Sequence, residues 1–358
     1  MSQKFIKQFF IGSGILLVVC ALMVIIFDPF FQYHKPLPGL KKVLTEKEYQ
    51  VPGSLKTLEY DSVIAGSSVA ENYYNGRFNE GFHCESIKAI RSNGTTADLC
   101  YYLDIAFEHQ ELKYVFYNLD PAALIADTEP SYESTGSPMY LYDDTYLNDI
   151  EYVLNKDVLL ERIPYLLAQS LIGDYDEHDS YNWSQWKQFN SELALKHYVR
   201  YPEIAEMKTE NYYEKEVLAN LKILTDRIST HPETTFYIFV PPYSMLWWDY
   251  IYRTGDLESY LYNMKMAMET LLKYENVRFF YFQNDVDIIT DLELYMDALH
   301  FSQDINHYIC DCMVEGSHEI TKDNYEETIE DMRRLAYEIP TELITPYEDR
   351  IAYDYTGQ

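Results

Sequence analysis

Two short stretches of this sequence hold the residue types that nucleophilic catalysis requires. In the first, residues 61–71, a short apolar run ends in a glycine that is followed by Ser67 and Ser68. The second contains Asp297 and His300, which are separated by two residues. A serine hydroxyl is a weak nucleophile, so it needs a histidine base whose ring a carboxylate orients. Together the two stretches predict a Ser-His-Asp site.

The oxyanion formed in such chemistry needs hydrogen-bond donors. The backbone N–H of the reactive serine is one predicted donor, and that of Gly94 is another, because glycine lets a backbone approach closely. Each stretch alone has an ordinary explanation: Gly-Ser-Ser after a strand is often a turn that caps a helix, and Asp-x-x-His arises by chance. Their occurrence together, in the order that one sheet edge requires, favours catalysis.

The elements that position these residues are predicted to be buried strands alternating with amphipathic helices. The predicted strands are the apolar runs 62–65, 84–90, 114–117, 235–240 and 277–282. This alternation is typical of a mostly parallel sheet covered on both faces, a three-layer α/β/α arrangement. Sites in such sheets form at the carboxyl ends of the strands. Beyond the two stretches, the polar segments predicted at that edge are 93–94, 118–120 and 241–243.

Charge and cysteine spacing exclude some functions. Among 358 residues, 58 are acidic and 28 are basic, which gives a net charge of −30. Such a chain repels a phosphate backbone, so we expect no nucleic-acid partner. No metal site or cofactor is predicted, because Cys310 and Cys312 have the spacing of neither a zinc site nor a redox pair. Cys84 and Cys100 are predicted to be free thiols, with a disulfide as the alternative.

The amino-terminal segment is predicted to be a membrane anchor. No charged residue occurs from Phe9 to Phe27, a length that suits a helix across a bilayer. Lys4 and Lys7 precede this run and Asp28 follows it, which predicts an amino terminus in the cytoplasm and a main domain outside the cell. A cleaved signal peptide is the alternative, but its apolar region is usually shorter and no small-x-small cleavage site follows.

Four regions are predicted along the chain. Residues 1–31 form the anchor, 32–58 a proline-containing linker, 59–320 the α/β domain, and 321–358 an acidic tail that is loosely ordered beyond one helix. An aromatic-rich insertion at about 127–212 interrupts the alternation of strands and helices in the domain. This insertion is either a lid or partner surface, or a helical elaboration that extends the core.

Three blocks of the domain resemble the SGNH/GDSL hydrolase superfamily. The blocks are Gly66-Ser67-Ser68, Asn93-Gly94 and Asp297-Ala298-Leu299-His300. The resemblance extends over about residues 60–318 and implies a flavodoxin-like fold with a central five-stranded sheet. With the anchor, the chain is similar to the membrane-anchored branch that contains the teichoic-acid D-alanylation protein and alginate-type polysaccharide O-acetylation proteins.

By position, the resemblance implies a role for each site residue. Ser68 matches the nucleophile, His300 the base, and Asp297 the acid that orients the base. Gly94, with Asn93 beside it, matches the oxyanion-binding second block.

The chain departs from the family pattern at two places. Ser67, which is expected to point into the turn and cap it, stands where the family name has aspartate. Leu119 stands in the register of the third-block asparagine, and Asn118 replaces that oxyanion donor only if the loop shifts by one residue. Similar departures occur in the membrane-associated branch, which favours acyl transfer over free hydrolysis.

The resemblance implies an extracytoplasmic serine acyl- or acetyltransferase that modifies a cell-envelope glycan or teichoic-acid-like polymer in a Gram-positive bacterium. It also implies a polytopic membrane acyltransferase as the partner that delivers the acyl group. Two alternatives stay open. One is a surface carbohydrate esterase that removes acetyl groups, and the other is a non-catalytic interaction subunit of an envelope-polymer modification complex.

Overall fold

The computed structural model describes residues 3–354 and has an α/β architecture. The strands are β1 (Ser62–Gly66), β2 (Ser86–Ile90), β3 (Tyr114–Asn118), β4 (Val199–Arg200), β5 (Thr235–Val240), β6 (Val277–Tyr281), β7 (Glu319–Ile320) and β8 (Ala352–Tyr353). The helices are α1 (Gln3–Phe27), α2 (Lys47–Thr57), α3 (Asn75–Phe82), α4 (Thr96–His109), α5 (Ile150–Val153), α6 (Ile163–Leu171), α7 (Ser191–Lys196), α8 (Glu214–Thr230), α9 (Met245–Arg253), α10 (Leu257–Leu271), α11 (Val286–Ile289), α12 (Gln303–Glu315) and α13 (Tyr325–Glu338).

Six strands form the main sheet in the order β2-β1-β3-β5-β6-β7. The first five are parallel, and β7 is antiparallel to β6. The prediction of a mostly parallel sheet is therefore confirmed, but the prediction of five strands was wrong. β7 has two residues, too few for a periodic pattern to reveal it.

The strands form where apolar residues are buried on both faces. All residues of β1 and β2 are buried, including Lys88, whose ammonium donates to the Glu71 carbonyl at 2.7 Å. Strands of this kind pair in parallel where elements cover both faces of the sheet. α4 begins at a capping box, in which the side chains of Thr95 and Asp98 each accept the other's backbone N–H. Because these strands are parallel, their carboxyl ends lie at one edge of the sheet.

The chain divides into two compact units that do not follow the predicted boundaries. One comprises the chain up to Glu59 together with Tyr132–Tyr181, and we call it the anchor unit. The other comprises Tyr60–Ser131 and the chain from Asn182 onward. It contains the six-stranded sheet, and we call it the sheet unit.

The anchor unit begins with α1 and continues into a folded lead-in. α1 has 25 residues, and an 18-residue window of it has a mean hydropathy of 2.9, so it is long and apolar enough to cross a membrane. The segment 32–58, predicted as a linker, contains α2, and the residues from Gln50 to Leu55 are buried. The Gln50 amide donates to the carbonyls of Pro29 and Val43, both at 2.8 Å. These bonds tie α2 to the chain that leaves α1.

The carboxyl-terminal segment is more ordered than predicted. After α13, which matches the one predicted helix, β8 pairs in parallel with β4. Arg200 of β4 is buried and binds Asp249 through two hydrogen bonds of 2.8 and 2.9 Å, and Glu348 at 2.7 Å. A buried guanidinium needs such partners, so Glu348 holds the tail to the sheet unit.

Candidate active site

Ser68, His300 and Asp297 form a continuous chain of hydrogen bonds in the sheet unit. The Ser68 Oγ lies 2.9 Å from His300 Nε2, and His300 Nδ1 lies 2.8 Å from Asp297 Oδ2. These distances permit the serine proton to pass to the imidazole while the carboxylate holds the opposite ring nitrogen. All three residues are partly exposed to solvent. The structure thus brings together the three residues that the sequence predicted as a site.

A sharp change from strand to 3-10 turn positions Ser68. β1 ends at Gly66, and a 3-10 turn begins at Ser68. A Cβ at Gly66 would lie 2.6 Å from the Ala70 side chain, so glycine is required for the turn to fold back this closely. At the far end of the turn, the Asn72 amide donates to the Phe301 carbonyl at 3.1 Å. The serine turn is therefore joined directly to the loop that carries the histidine.

A compact loop presents Asp297 and His300. The Asp297 Oδ1 accepts the backbone N–H groups of Leu299 and His300, both at 2.8 Å, which closes an Asx-type turn. The segment after β5 braces this loop, because the backbone N–H and the hydroxyl of Ser244 both donate to the Ala298 carbonyl. One oxygen of Asp297 thus shapes the loop, and the other orients the His300 imidazole.

The pKa of Asp297 lies below its usual value. Burial alone would raise this pKa, but the hydrogen bond and charge of His300, together with the backbone N–H groups of the turn, outweigh burial. The carboxylate is therefore ionised at neutral pH. In that state it can stabilise an imidazolium on His300, the form that the ring would take on accepting the serine proton.

A second carboxylate, Asp120, holds Ser67 at the same edge. The Ser67 Oγ donates to Asp120 Oδ2 at 2.8 Å, and the Tyr243 hydroxyl donates to Asp120 Oδ1. Burial raises the pKa of Asp120, although these hydrogen bonds and the charge of His300 act in the opposite direction. Ser67, predicted to cap the turn, makes no capping hydrogen bond. Its hydroxyl is committed to Asp120, so Ser68 is the hydroxyl that faces the base.

Trp183 packs against the triad from the aromatic-rich segment. Its indole N–H donates to the Ser68 carbonyl at 3.0 Å. Its ring meets the His300 ring edge to face, with centroids 5.3 Å apart. Both contacts restrict the reacting groups, because they hold the backbone of the serine and the plane of the imidazole. The predicted insertion therefore contributes this side chain directly to the site.

One predicted oxyanion donor, the Gly94 N–H, is occupied, and so is the backbone N–H of Leu119. The Gly94 N–H donates to the Arg91 carbonyl at 2.9 Å, since that bond closes the turn before α4. Leu119 is buried, and its N–H donates to the Phe239 carbonyl at 2.8 Å as an extension of the pairing between β3 and β5. Neither N–H is directed to an oxyanion in this geometry, so the role predicted for Gly94 is not met.

The Ser68 N–H and the Asn118 side-chain amide are the other candidate donors. The first N–H groups of a helical turn have no partner inside the turn, so the Ser68 N–H is well placed to bind an oxyanion. Asn118 is buried at the end of β3, and its Oδ1 accepts from the Tyr73 hydroxyl at 3.3 Å. Among residues 3–354, the Asn118 Nδ2 is a buried donor without a hydrogen-bond partner. Asn93 is exposed and left-handed, with φ at 55°, which places it in the turn and outside the triad.

Sequence reasoning missed the contacts of Asp120, Tyr243 and Trp183. The first two belong to segments predicted at the active edge, so strand ends indicated their location but not their pairing. Glu71 is buried and accepts the Ser92 hydroxyl at 2.6 Å, which joins the loop after β2 to the serine turn. Trp183 lies in a segment without strand or helix periodicity, so no local signal connected it with the triad.

The other residue types that could form a site are metal ligands and cysteines. Within residues 3–354, no group of three or more His, Cys, Asp or Glu side chains is placed to hold a metal ion. The five cysteines, all in this range, are free thiols, so Cys84 and Cys100 form no disulfide. Burial raises the pKa of Cys84 to about 11 and that of Cys100 to about 12. Both thiols are therefore protonated and weakly nucleophilic at neutral pH.

No protein-family model matches the chain, and no curated protein sequence matches it. The functional argument therefore rests on the arrangement of Ser68, His300 and Asp297 and on the groups that hold them.

Proposed function

We propose that this protein is an SGNH-type serine enzyme that transfers an acyl or acetyl group to a cell-envelope glycan or teichoic-acid-like polymer. The observation that carries the proposal is the hydrogen-bonded chain from Ser68 through His300 to Asp297, with distances of 2.9 and 2.8 Å. The parallel strand order and the burial of β1 and β2 on both faces support the α/β/α layering of that superfamily.

In the proposed reaction, the Ser68 Oγ attacks the carbonyl carbon of an acyl donor, and its proton passes to His300 Nε2. Asp297 stabilises the resulting imidazolium. Collapse of the tetrahedral intermediate breaks the bond to the leaving group, which takes the proton from His300, and leaves an ester on Ser68. An acceptor hydroxyl then gives its proton to His300 and attacks this ester. The acylated acceptor leaves and the serine is restored.

The proposed location is the outer face of the cell membrane. α1 supports an anchor by its length and hydropathy of 2.9, and the flanking charges support a cytoplasmic amino terminus. A polytopic membrane acyltransferase is the proposed source of the acyl group. With a glycan hydroxyl as acceptor the enzyme is a transferase, and with water it is an esterase.

A non-catalytic interaction subunit is the second candidate. The observation that favours it is that the Gly94 N–H bonds inside its own turn, at 2.9 Å, while the buried Leu119, in the register of the third-block asparagine, has no side-chain donor. A tetrahedral intermediate would then rely on fewer donors, and each lost oxyanion donor costs about 10²–10³ in kcat. This candidate predicts that the hydrogen-bonded triad produces no covalent acyl-serine.

Labelling of the full-length, detergent-solubilised protein with a fluorophosphonate separates these candidates. A fluorophosphonate forms a stable ester with an activated serine, so we expect labelling of the wild type and its loss in Ser68→Ala. The matched control is Ser67→Ala, which removes the adjacent hydroxyl and should retain labelling. Absence of labelling in the wild type, or equal labelling of Ser68→Ala, would overturn the proposal and favour the non-catalytic subunit.

The acceptor is identified by supplying the wild-type protein, without the fluorophosphonate, with an acetyl ester and an envelope oligosaccharide. Acetylated oligosaccharide as the product supports transfer, whereas free acetate with unchanged oligosaccharide assigns the esterase. Ser68→Ala should form neither product, because both reactions pass through the same acyl-serine.

A further inference from the structure

The anchor unit exposes large apolar side chains outside α1. Apart from Tyr49, they lie in one stretch, residues 146–172, and the most exposed is Leu147 at 95%. Those more than 60% exposed are Tyr146, Leu147, Ile150, Leu160, Leu171 and Ile172. Single exposed apolar residues need no explanation, but a concentration of them in one stretch marks an interaction surface.

This stretch packs against the carboxyl-terminal end of α1. The Tyr152 hydroxyl donates to Asp28 Oδ1 at 2.8 Å and accepts the Phe30 N–H at 3.1 Å. α5 and the helical turn 158–162 also contact α1 itself. Val24, in the last turn of α1, is fully buried. The stretch is thus fastened beside the end of the apolar helix.

The length of α1 places this junction at a definite depth. If Lys7 marks the inner boundary of the hydrocarbon, the uncharged remainder of α1 spans about 30 Å, the thickness of a bilayer core. Asp28 then lies at the outer boundary. Elements that contact the end of α1 therefore reach the level of the outer-leaflet headgroups.

We propose that residues 146–172 form a membrane-interface surface that rests in the headgroup and upper acyl region of the outer leaflet. This inference rests on the proposed membrane anchor and goes beyond the proposed reaction. Lipid is the occupant because the stretch is continuous with the apolar helix and shares its depth. Tyr146 suits the headgroup level, where amphipathic rings concentrate. The exposed carboxylates of Glu151 and Glu161 must stay hydrated, so the surface is shallow.

A consequence follows for the geometry of the anchor. A unit tethered by one helix alone could swing away from the bilayer. Contact of Leu147 and Ile172 with lipid, at 95% and 88% exposure in the absence of lipid, would hold the anchor unit against the surface.

Fluorescence quenching by lipid tests this surface in the full-length protein. Leu147→Cys and Ile172→Cys are made with Cys20→Ala and Cys84→Ser, since the other three cysteines are buried. Each protein is labelled with an environment-sensitive fluorophore and placed in phosphatidylcholine nanodiscs, with or without lipid that carries a nitroxide near the top of one acyl chain. The water-exposed control is Lys222→Cys in the same background, because that lysine side chain is 72% exposed beside Asp226.

The fluorophore at positions 147 and 172 should emit at a shorter wavelength than in water. The nitroxide lipid should quench about half of its fluorescence intensity, because both positions lie at the depth of interfacial segments. Lys222→Cys should show neither effect. Native Cys20, labelled alone and quenched by a nitroxide at mid-chain, reports whether α1 spans the bilayer. Quenching at Cys20 with none at 147 and 172 would overturn the surface while leaving the anchor intact. Shielding of both positions from aqueous iodide without lipid quenching would assign the surface to a protein partner and likewise overturn the proposal.

Discussion

Two aspartate–histidine pairs of the sheet unit have the same residue types and different geometry. In the first, Asp297 and Ser68 bind opposite nitrogens of His300, at 2.8 and 2.9 Å. In the second, the His318 Nε2 lies 2.8 Å from the Tyr308 hydroxyl and 3.6 Å from Asp285 Oδ2, and the same hydroxyl donates to that carboxylate at 2.8 Å. The first arrangement is a line through the imidazole, and the second is a closed triangle at one ring nitrogen.

This difference shows that proton transfer through a histidine depends on which group binds each nitrogen of its ring. A proton can pass from Ser68 to His300 because the acid supports the far side of the ring. Burial and the hydrogen bond to Asp285 raise the pKa of Tyr308, so the second hydroxyl keeps its proton. His318 also stacks on Phe282, with centroids 4.9 Å apart. The second cluster therefore fastens α12 to the segment after β6.

The largest expected effect is on kcat, which should depend on Asp297 and not on Asp285. Asp297→Asn should lower kcat for ester turnover by about 10⁴-fold, because the imidazole loses its orientation and charge support. Asp285→Asn should leave kcat within about two-fold, since it changes no group that contacts the nucleophile. Steady-state kinetics on an acetyl ester measures both, with circular dichroism as the control for folding. Equal losses in the two variants would contradict the comparison.

A smaller loss of activity should follow removal of one bond to the nucleophile's backbone. Trp183→Phe keeps an aromatic ring beside His300 but removes the indole N–H that donates to the Ser68 carbonyl at 3.0 Å. A lost hydrogen bond of about 1 kcal/mol corresponds to a decrease of several-fold in kcat. Trp186→Phe is the matched control, because that indole is 84% exposed. A decrease in KM alone, with kcat unchanged, would argue against the positioning role.

The next effect is on the free energy of unfolding, to which the Tyr308 cluster should contribute more than the Ser68 cluster. Tyr308→Phe should lower the free energy of unfolding by about 1 kcal/mol, because it removes a hydroxyl shared by Asp285 and His318. Ser68→Ala should change it by less than about 0.5 kcal/mol, since the hydroxyl is partly exposed. Denaturant unfolding of the solubilised protein provides the values, and activity of Tyr308→Phe should stay near wild type. Loss of activity without loss of stability in Tyr308→Phe would link the second cluster to catalysis.

The smallest expected effects are opposite pH dependences of stability. Because the folded pKa of Asp297 lies below its usual 3.8, its stabilisation is fully present above pH 3.8 and is lost as pH falls through the folded value. Because the folded pKa of Tyr308 lies above its usual 10.0, stability declines as pH rises beyond 10.0. Thermal unfolding across pH should show Asp297→Asn losing the acid-side slope and Tyr308→Phe losing part of the alkaline slope. Unchanged slopes in both variants would count against these shifts.

Much of the fold was predictable because its signals are local. The apolar runs of β1, β3, β5 and β6 match the predicted strands closely, since fully buried parallel strands need such runs. Thr95 caps α4, and such a cap is set by neighbouring residues. The burial of α2 and the pairing of β8 with β4 were not predicted, since prolines and acidic residues indicate composition and do not show which surfaces they cover.

The sequence by itself determined that Ser68, Asp297 and His300 follow strands or turns at one sheet edge, because strand ends and the Asp-x-x-His spacing are local properties. Tertiary structure alone decided what surrounds them. Ser67 reaches Asp120 across 53 positions, Tyr243 reaches it across 123, and the Trp183 indole reaches Ser68 across 115. Such bonds depend on how separate loops meet in space, which no short-range pattern encodes. The same dependence directs the Gly94 N–H into its own turn. It also places one aspartate–histidine pair in line with a serine and the other in a closed cluster that holds α12.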